Sequence, residues 1–275
     1  MTLKNTLPQS VRRSLCASAT ALTLVLSSGT ASAGLIALYD FNGTTNDVSG
    51  NNKNPVSGTI SGYASGVQGQ AGVFNGSTNR LQLPINVSPS LMHSLTMGVW
   101  VSALEANNRT GIMSADDNSP ANFDRQIGID NRRLLGSGGP ALYSYSAFGG
   151  GSTGVLASGV SASSTFTFLA ARYDGSTVTL FVDGQSFTTN DATDDDAIEY
   201  PQLWIGKNPS FDSSFQGSLD NAFVFDEALS DGQIEAIRTG GASAIMAVAV
   251  PEPATTAVAA GCMAVTFLRR RRRNS

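Results

Sequence analysis

The chain predicts an all-β protein, an antiparallel β-sandwich or barrel closed by one short helix. Three observations carry this. Apolar runs are short and alternate with polar or small neighbours, as in Leu95, Met97, Val99 and Val101 against Thr96, Gly98 and Trp100. Asp174-Gly175 and Asp183-Gly184 punctuate two neighbouring runs, and both residue types tolerate the positive φ of a tight turn. The stretch from Gly34 to Gly241 holds no cysteine, so its stability must come from a core; roughly 200 residues are enough to build one.

The elements follow in order. Lys4, Arg12 and Arg13 form a basic start, and Ala21-Leu22-Thr23-Leu24-Val25-Leu26 an apolar centre. Ala31-Ser32-Ala33 then fits the small-residue rule for signal cleavage. Residues 1–33 are therefore expected to be removed as a signal peptide, leaving a mature chain from Gly34. A retained membrane helix is the alternative, for which the apolar centre is short and rich in Ser and Thr. Arg12-Arg13 raises twin-arginine export, but Ser14, Leu15 and Cys16 suit it poorly, so the general secretory route is expected.

Leu35 to Phe41 reads as a first strand, and Leu95 to Val101 as a later one. Phe166 to Tyr173 and Val178 to Val182 form a meander through the two Asp-Gly turns. Leu203 to Gly206 and Leu219 to Phe225 supply two more strands. Ser230-Asp231-Gly232-Gln233 is a capping box for one helix, with Ile234 and Ile237 on its apolar face and Gly240-Gly241 at its end.

Charge is distributed unevenly. Between Gly34 and Pro253 stand nine Lys and Arg against 21 Asp and Glu, a formal charge of −12, while the basic residues gather at the two ends. Such a domain is a poor partner for nucleic acid and is repelled by anionic lipid. It can attract divalent cations.

The ordered set of motifs in this stretch resembles the laminin-G-like, concanavalin A-like jelly roll. Tyr39-Asp40-Phe41 is followed by Asp47-Val48-Ser49-Gly50-Asn51, then by Gly66-Val67-Gln68-Gly69-Gln70-Ala71 and Phe74-Asn75-Gly76. Tyr173-Asp174-Gly175, Val182-Asp183-Gly184, Ile205-Gly206, Phe215-Gln216-Gly217-Ser218-Leu219-Asp220 and Ala228-Leu229-Ser230 complete it. The resemblance runs from Leu35 to Ile237 and implies an antiparallel β-sandwich with a short C-terminal helix. Phe166 departs from it, standing where the family usually has Trp. Trp100 and Phe166 are expected in the core. Residues 107 to 164 follow the family poorly and are expected to be variable loops and edge strands.

Catalytic chemistry is sparse. Glycosidases of this fold class carry Glu-x-Asp-x-x-Glu along one strand, and no such run occurs. His93 is the single histidine. The expectation is no enzyme. Binding is the better class, because the family often takes carbohydrate or protein on a sheet face or rim, sometimes with calcium. Trp204, Tyr143 and Tyr145 could stack on sugars, and Tyr143 and Tyr145 alternate so as to share one strand face. Trp204 as a packed strand residue is the alternative. For calcium, which wants several oxygen ligands, the resemblance points to Asp47 and Asp220, with Asp194-Asp195-Asp196 as a second loop. Asp47 could instead serve its own turn, and Asp220 a strand corner.

The end of the chain reads Pro251-Glu252-Pro253, an apolar run from Ala254 to Leu268, and arginines from Arg269 to Arg273. Fifteen apolar residues are short for a membrane helix of about 20 residues, yet can cross with thinning or snorkelling. The arginines then stay cytoplasmic. The order resembles the bacterial PEP-CTERM sorting signal. That resemblance implies cleavage near Pro251, Glu252 and Pro253 by a membrane protease, exosortase, after inner-membrane anchoring; an ordinary tail anchor is the alternative. The expected organisation is a signal peptide over 1–33, the sandwich over 34–241, a linker over 242–250 and the sorting signal over 251–275. The expected protein is exported to the envelope or surface of a Gram-negative-type bacterium. It acts in adhesion or in an extracellular polysaccharide or biofilm matrix. A polysaccharide-active enzyme of the same fold, or a structural envelope protein without a specific ligand, are the alternatives.

Overall fold

A computed structural model describes residues 34–103, 110–116, 123–130, 141–148, 151–192, 200–209 and 214–249. The signal region, Asp194 to Asp196, and the tail with Pro251, Glu252, Pro253 and the apolar run lie outside the described residues.

The described residues form two antiparallel sheets. The first runs, in spatial order, β13 (Gln185–Asn190), β12 (Thr177–Val182), β11 (Thr167–Tyr173), β6 (Leu95–Ala103), β15 (Gln216–Phe225), β4 (Gln70–Asn75) and β3 (Gly62–Ser65). To these is added β1 (Leu35–Tyr39), which pairs with the second half of β15 while β4 pairs with the first half. The second runs β10 (Gly151–Ser161), β9 (Ala141–Phe148), β8 (Phe123–Asp130), β7 (Thr110–Asp116), β14 (Leu203–Ile205), β5 (Arg80–Leu83) and β2 (Ser57–Thr59).

Alternation sorts side chains to the two faces of each strand. Met97, Val99, Leu169, Leu180 and Val224 of the first sheet meet Leu81, Met113, Ile127, Leu203 and Ile205 of the second in a buried core. The opposite parity of the first sheet is apolar too. Trp100, Phe168, Phe223 and Phe225 form a second cluster beneath helix α1 (Asp231–Val248), which adds Ile234, Ile237 and Ile245. Phe168 and Phe223 stack at 6.4 Å, and Trp100 meets Phe168 edge-on at 4.8 Å. Gly98 makes room for this layer: a Cβ there would stand 2.8 Å from Ala170 Cβ and 2.9 Å from Phe223 Cε1.

Two expectations about packing change. Phe166 precedes β11 and is only half-buried at the margin of the second cluster; Phe168 takes the place beside Trp100. Within 107–164, expected as variable loops and edge strands, the described residues include β7, β8, β9 and β10, of which only β10 lies at a sheet edge.

Helix α1 starts where the capping box places it. Ser230 Oγ accepts from the Gln233 N–H at 3.3 Å, and Gln233 Oε1 accepts from the Ser230 N–H at 2.9 Å. Arg172 ties the start to the sheet, donating to Asp231 Oδ1 at 2.6 Å and to the Leu229 carbonyl at 2.9 Å. The helix does not end at Gly241. It breaks there and resumes to Val248, so the first part of the expected linker is helical and buries Ile245. Among the described residues no helix is long and apolar enough to cross a membrane.

Candidate functional site

The outer face of the second sheet carries the candidate ligand residues. Directly paired positions run across it in one row: Ser57, Gln82, Trp204, Ser114, Gln126, Tyr145 and Gly154. Paired residues in antiparallel strands share a face, and this parity is opposite to that of Met113 and Ile127 in the core. Tyr143 lies two positions from Tyr145 on the same face, opposite Gly128. The positions of Trp204 on β14 and of Tyr143 and Tyr145 on β9 thus belong to one sheet face, drawn from two separate strands.

Their environments differ. Trp204 is half-buried, donates from Nε1 to the Tyr200 hydroxyl at 3.2 Å, and has the Arg80 guanidinium 5.7 Å from its ring centroid. Tyr143 is fully buried, so its ring packs within the sheet face rather than standing in solvent. The side chain of Tyr145 lies outside the described residues.

Between the aromatics is a polar network that the sequence reading missed. Asn208 Nδ2 donates to Asp116 Oδ2 at 2.9 Å and to Gln126 Oε1 at 3.0 Å. Gln126 Nε2 donates to Asp124 Oδ2 at 3.1 Å, and Ser114 Oγ to Gln126 Oε1 at 3.3 Å. All five side chains are buried. Buried polar groups are retained where their bonds are satisfied, and here amides bridge two carboxylates. The signal was the alternation Asp124, Gln126, Gly128 against Arg125, Ile127, Ile129, which looks too polar for a covered strand.

The two aspartates expected to share calcium are held by different segments of backbone. β1 turns its Leu38 N–H and carbonyl away from β15, and the Asp47 loop caps that outer edge: Leu38 donates to Asp47 Oδ1 at 3.0 Å and Val48 to the Leu38 carbonyl at 2.8 Å. Ser49 and Lys53 donate their N–H groups to the same carboxylate at 2.9 Å each. Burial opposes its charge, but the amides of Leu38, Lys53 and Ser49 outweigh burial and hold the carboxyl below its usual range. Asp47 is therefore a staple for its own loop, with its oxygens committed to N–H donors.

Asp220 lies on β15 itself. Its Oδ2 accepts from the N–H groups of Val67 at 2.8 Å and Gln68 at 3.1 Å, in the tip between β3 and β4. Its Oδ1 and both polar atoms of the Asn221 side chain are buried without hydrogen-bond partners. Burial pushes this carboxyl up to about 6, opposed by the amides of Gln68, Val67 and Asn221 and reinforced by the charge of Asp40. Unpartnered buried oxygens beside a carboxylate suit a hard cation. Asp220 and Asn221 fit that chemistry and Asp47 does not. No group of three or more metal-ligating side chains occurs among the described residues. His93 has a packing role, its ring lying against the backbone of Gly175 and its carbonyl accepting from buried Arg125 at 3.4 Å.

Comparison with known proteins agrees with this architecture. None of the curated proteins searched matches the chain. Among solved structures it is similar to domain 4 of AbnA, a GH43 extracellular arabinanase from Geobacillus stearothermophilus, in complex with arabinotriose. The TM-score is 0.57 at 22% identity, over 74% of this chain and 97% of that one. It is similar also to the binding domain of Paraclostridial Mosquitocidal Protein 1, with a TM-score of 0.58 at 14% identity, over 74% of this chain and 52% of that one. A Trypanosoma rangeli sialidase matches at a TM-score of 0.52 and 13% identity, with 74% of this chain and 32% of that one covered. The chain thus spans about half of the toxin binding domain and a third of the sialidase. At these identities the likeness speaks for the fold. The profile of the concanavalin A-like lectin/glucanases superfamily matches residues 75–235, more than half of the sequence, and on that match the chain belongs to this superfamily.

Proposed function

We propose that the protein is an exported, non-catalytic binding module that takes carbohydrate on the outer face of its second sheet. The observation that carries this is the accessible end of the cross-strand row, where half-buried Trp204 has the Arg80 guanidinium beside its ring and is paired with Gln82, which is paired in turn with exposed Ser57. Sugars are recognised by such mixtures, with a ring stacking on an apolar sugar face and neighbouring polar side chains bonding hydroxyls. The arabinanase domain's complex with arabinotriose supports the reading, as does the number of toxin binding domains among similar structures. On this reading residues 1–33 act as a signal peptide, the Pro251-Glu252-Pro253 tail acts as a sorting signal, and the activity belongs to the cell envelope. There an exosortase-type protease trims the tail and the module serves adhesion or an extracellular polysaccharide matrix. Calcium at Asp220 and Asn221 is part of the same reading, as a structural ion.

A glycan array with the exported chain tests it. Retention on one glycan class, lost in Trp204→Ala, is the expected result; an array with no retention anywhere overturns the carbohydrate reading and leaves a protein ligand or a structural envelope role. One observation favours a second reading. Asp116 and Asp124 are direct cross-strand partners, so two carboxylates stand side by side on this face, and a glycosidase needs a pair of them. Release of reducing ends from a bound glycan, abolished in Asp124→Asn, would establish that the module is a hydrolase instead.

A further inference from the structure

Among the described residues, β1, β2, β3, β10 and β13 each have a side that no other strand covers, and all but β13 are protected there. β2 has three residues and β3 four. β10 is broken by a shift of register between Leu156 and Ser161. On β1, the outward groups of Leu38 are taken by Asp47 and Val48. β13 runs six residues, Gln185 to Asn190, in unbroken register with β12 and without charge or proline. Edges of that kind pair with other chains unless they are shortened, bent, charged or covered.

The hairpin fixes which groups face outward. Asp183 and Gly184, with φ of 45° and 85°, make the two-residue turn from β12 into β13. The flanking pair, Val182 and Gln185, is then a hydrogen-bonded one, and Phe187 and Thr189 face β12 in the same step. The N–H and carbonyl groups of Ser186 and Thr188 are left on the open side. β12 agrees from its other edge, where the Asp183 N–H donates to the Phe168 carbonyl at 3.2 Å. Ser186 and Thr188 are exposed.

A cleft of about 220 Å³ adjoins this edge, between the hairpin and helix α1, with Phe168, Phe181, Ser186, Ile234, Glu235 and Arg238 among its walls. Phe168, Phe181 and Ile234 are buried and make its floor apolar. Ser186 is paired with Phe181, so a residue added opposite Ser186 turns its side chain to the same face. The small Ser186 side chain leaves the way to that floor open. At the rim Arg172 is paired with Asp231 and Arg238 with Glu235, each at 2.6 Å, and exposed Asp183 at the hairpin tip adds an acid.

We propose that β13 docks an extended, basic peptide segment of another protein, which adds as a further antiparallel strand and seats an apolar side chain in this cleft. Main-chain bonds to Ser186 and Thr188 hold the strand, and the cleft selects the side chain. The formal charge of −12 between Gly34 and Pro253 favours a basic partner and disfavours a second copy of this chain. In any two-fold pairing of β13, moreover, the residue opposite Ser186 is Ser186, Thr188 or Asn190, none of them apolar. The edge belongs to the first sheet and stands apart from the carbohydrate reading of the second.

Blocked octapeptides test the proposal on the exported chain, with binding read by fluorescence anisotropy. The probe has lysine at both ends and Leu alternating with Thr between them, and it should bind. N-methylation of its Leu residues, whose N–H groups would meet Ser186 and Thr188, should weaken it about tenfold or more. Thr188→Pro removes an outward N–H and no bond to β12, so it should weaken the probe similarly while the melt of the chain stays unchanged. Ser186→Phe fills the cleft from β13 itself and should bring the Leu probe down to the affinity of its Ala counterpart. Glutamate ends in place of lysine should also weaken binding. Equal binding of the methylated and parent probes overturns strand addition, and equal binding of the Leu and Ala probes overturns the role of the cleft. Absence of binding by the lysine-ended Leu probe overturns the docking edge. Self-association of the chain that Thr188→Pro abolishes would assign the edge to a second copy instead.

Discussion

Phe168 and Phe166 differ by two positions and so share a parity, which is why alternation could not separate them. What separates them is where the strand begins. Thr167 opens β11, so Phe168 pairs with Trp100 and is buried, while Phe166 hangs at the margin. Phe168→Ala should cost roughly 3–5 kcal/mol in denaturant unfolding, as for other buried large aromatics, and Phe166→Ala clearly less. Equal losses would place both rings in the second cluster. Asp47 and Asp220 were legible as paired features of the motif, but which oxygens already had partners was not. Asp220 has its carboxyl raised to about 6 from an unfolded value of about 3.9. Its protonated form is the one the fold favours, so its contribution is complete below pH ~4 and fades as pH rises through ~6. The parent should thus lose stability relative to Asp220→Asn between pH 4 and 7, by an order of 2–3 kcal/mol, read from paired melts across that range. A parent–variant difference that does not move with pH would show that the buried carboxyl is solvated in solution. Asp47 acts in the opposite sense: its lowered carboxyl contributes above the unfolded value and is lost on acidification.

Among the elements, those with local signals were legible: β6, β11, β12, β14, β15 and the start of α1 all lie where alternation, Asp-Gly turns and the capping box put them. Ser230→Ala should lower stability by about 1 kcal/mol, the usual worth of a cap, measured as a shifted urea midpoint at constant slope. No shift would mean that packing of Ile234 and Ile237 alone sets where the helix begins. The far end of α1 was misread because a glycine at positive φ can terminate a helix or break one. The deciding partner, Gln68, is more than 170 residues away in sequence, at Ala242's 174-residue separation. β7 to β10 were obscure for a different reason. The outer-face residues Ser114 and Asp116 of β7 and Asp124 and Gln126 of β8 are polar and buried together, so these two strands lack the apolar-in, polar-out rhythm that a half-exposed sheet writes into its sequence.

At the scale of the molecule, β15 joins β1, β4 and β6, partners drawn from distant parts of the chain, and no local pattern specifies such pairings. The motif order conveyed them only through its likeness to a family. The charge of −12 was legible directly and bears on stability. An ion at Asp220 and Asn221 would bind only the folded chain and stabilise it by about 2.7 kcal/mol at a hundredfold excess over Kd. The chain should melt higher in millimolar calcium than in chelator. Asp220→Asn should abolish that gap, whereas Asp47→Ala should lower both melts and keep it. Identical melting of the parent in both buffers would exclude the ion.

Helix α1 covers the outer face of the first sheet and carries the chain out of the sandwich, while the aromatic and polar row lies on the outer face of the second. Exit and row are therefore on opposite sides of two stacked layers. A ligand seated on the row would therefore leave the helix-covered face clear, and the two faces can be engaged at the same time.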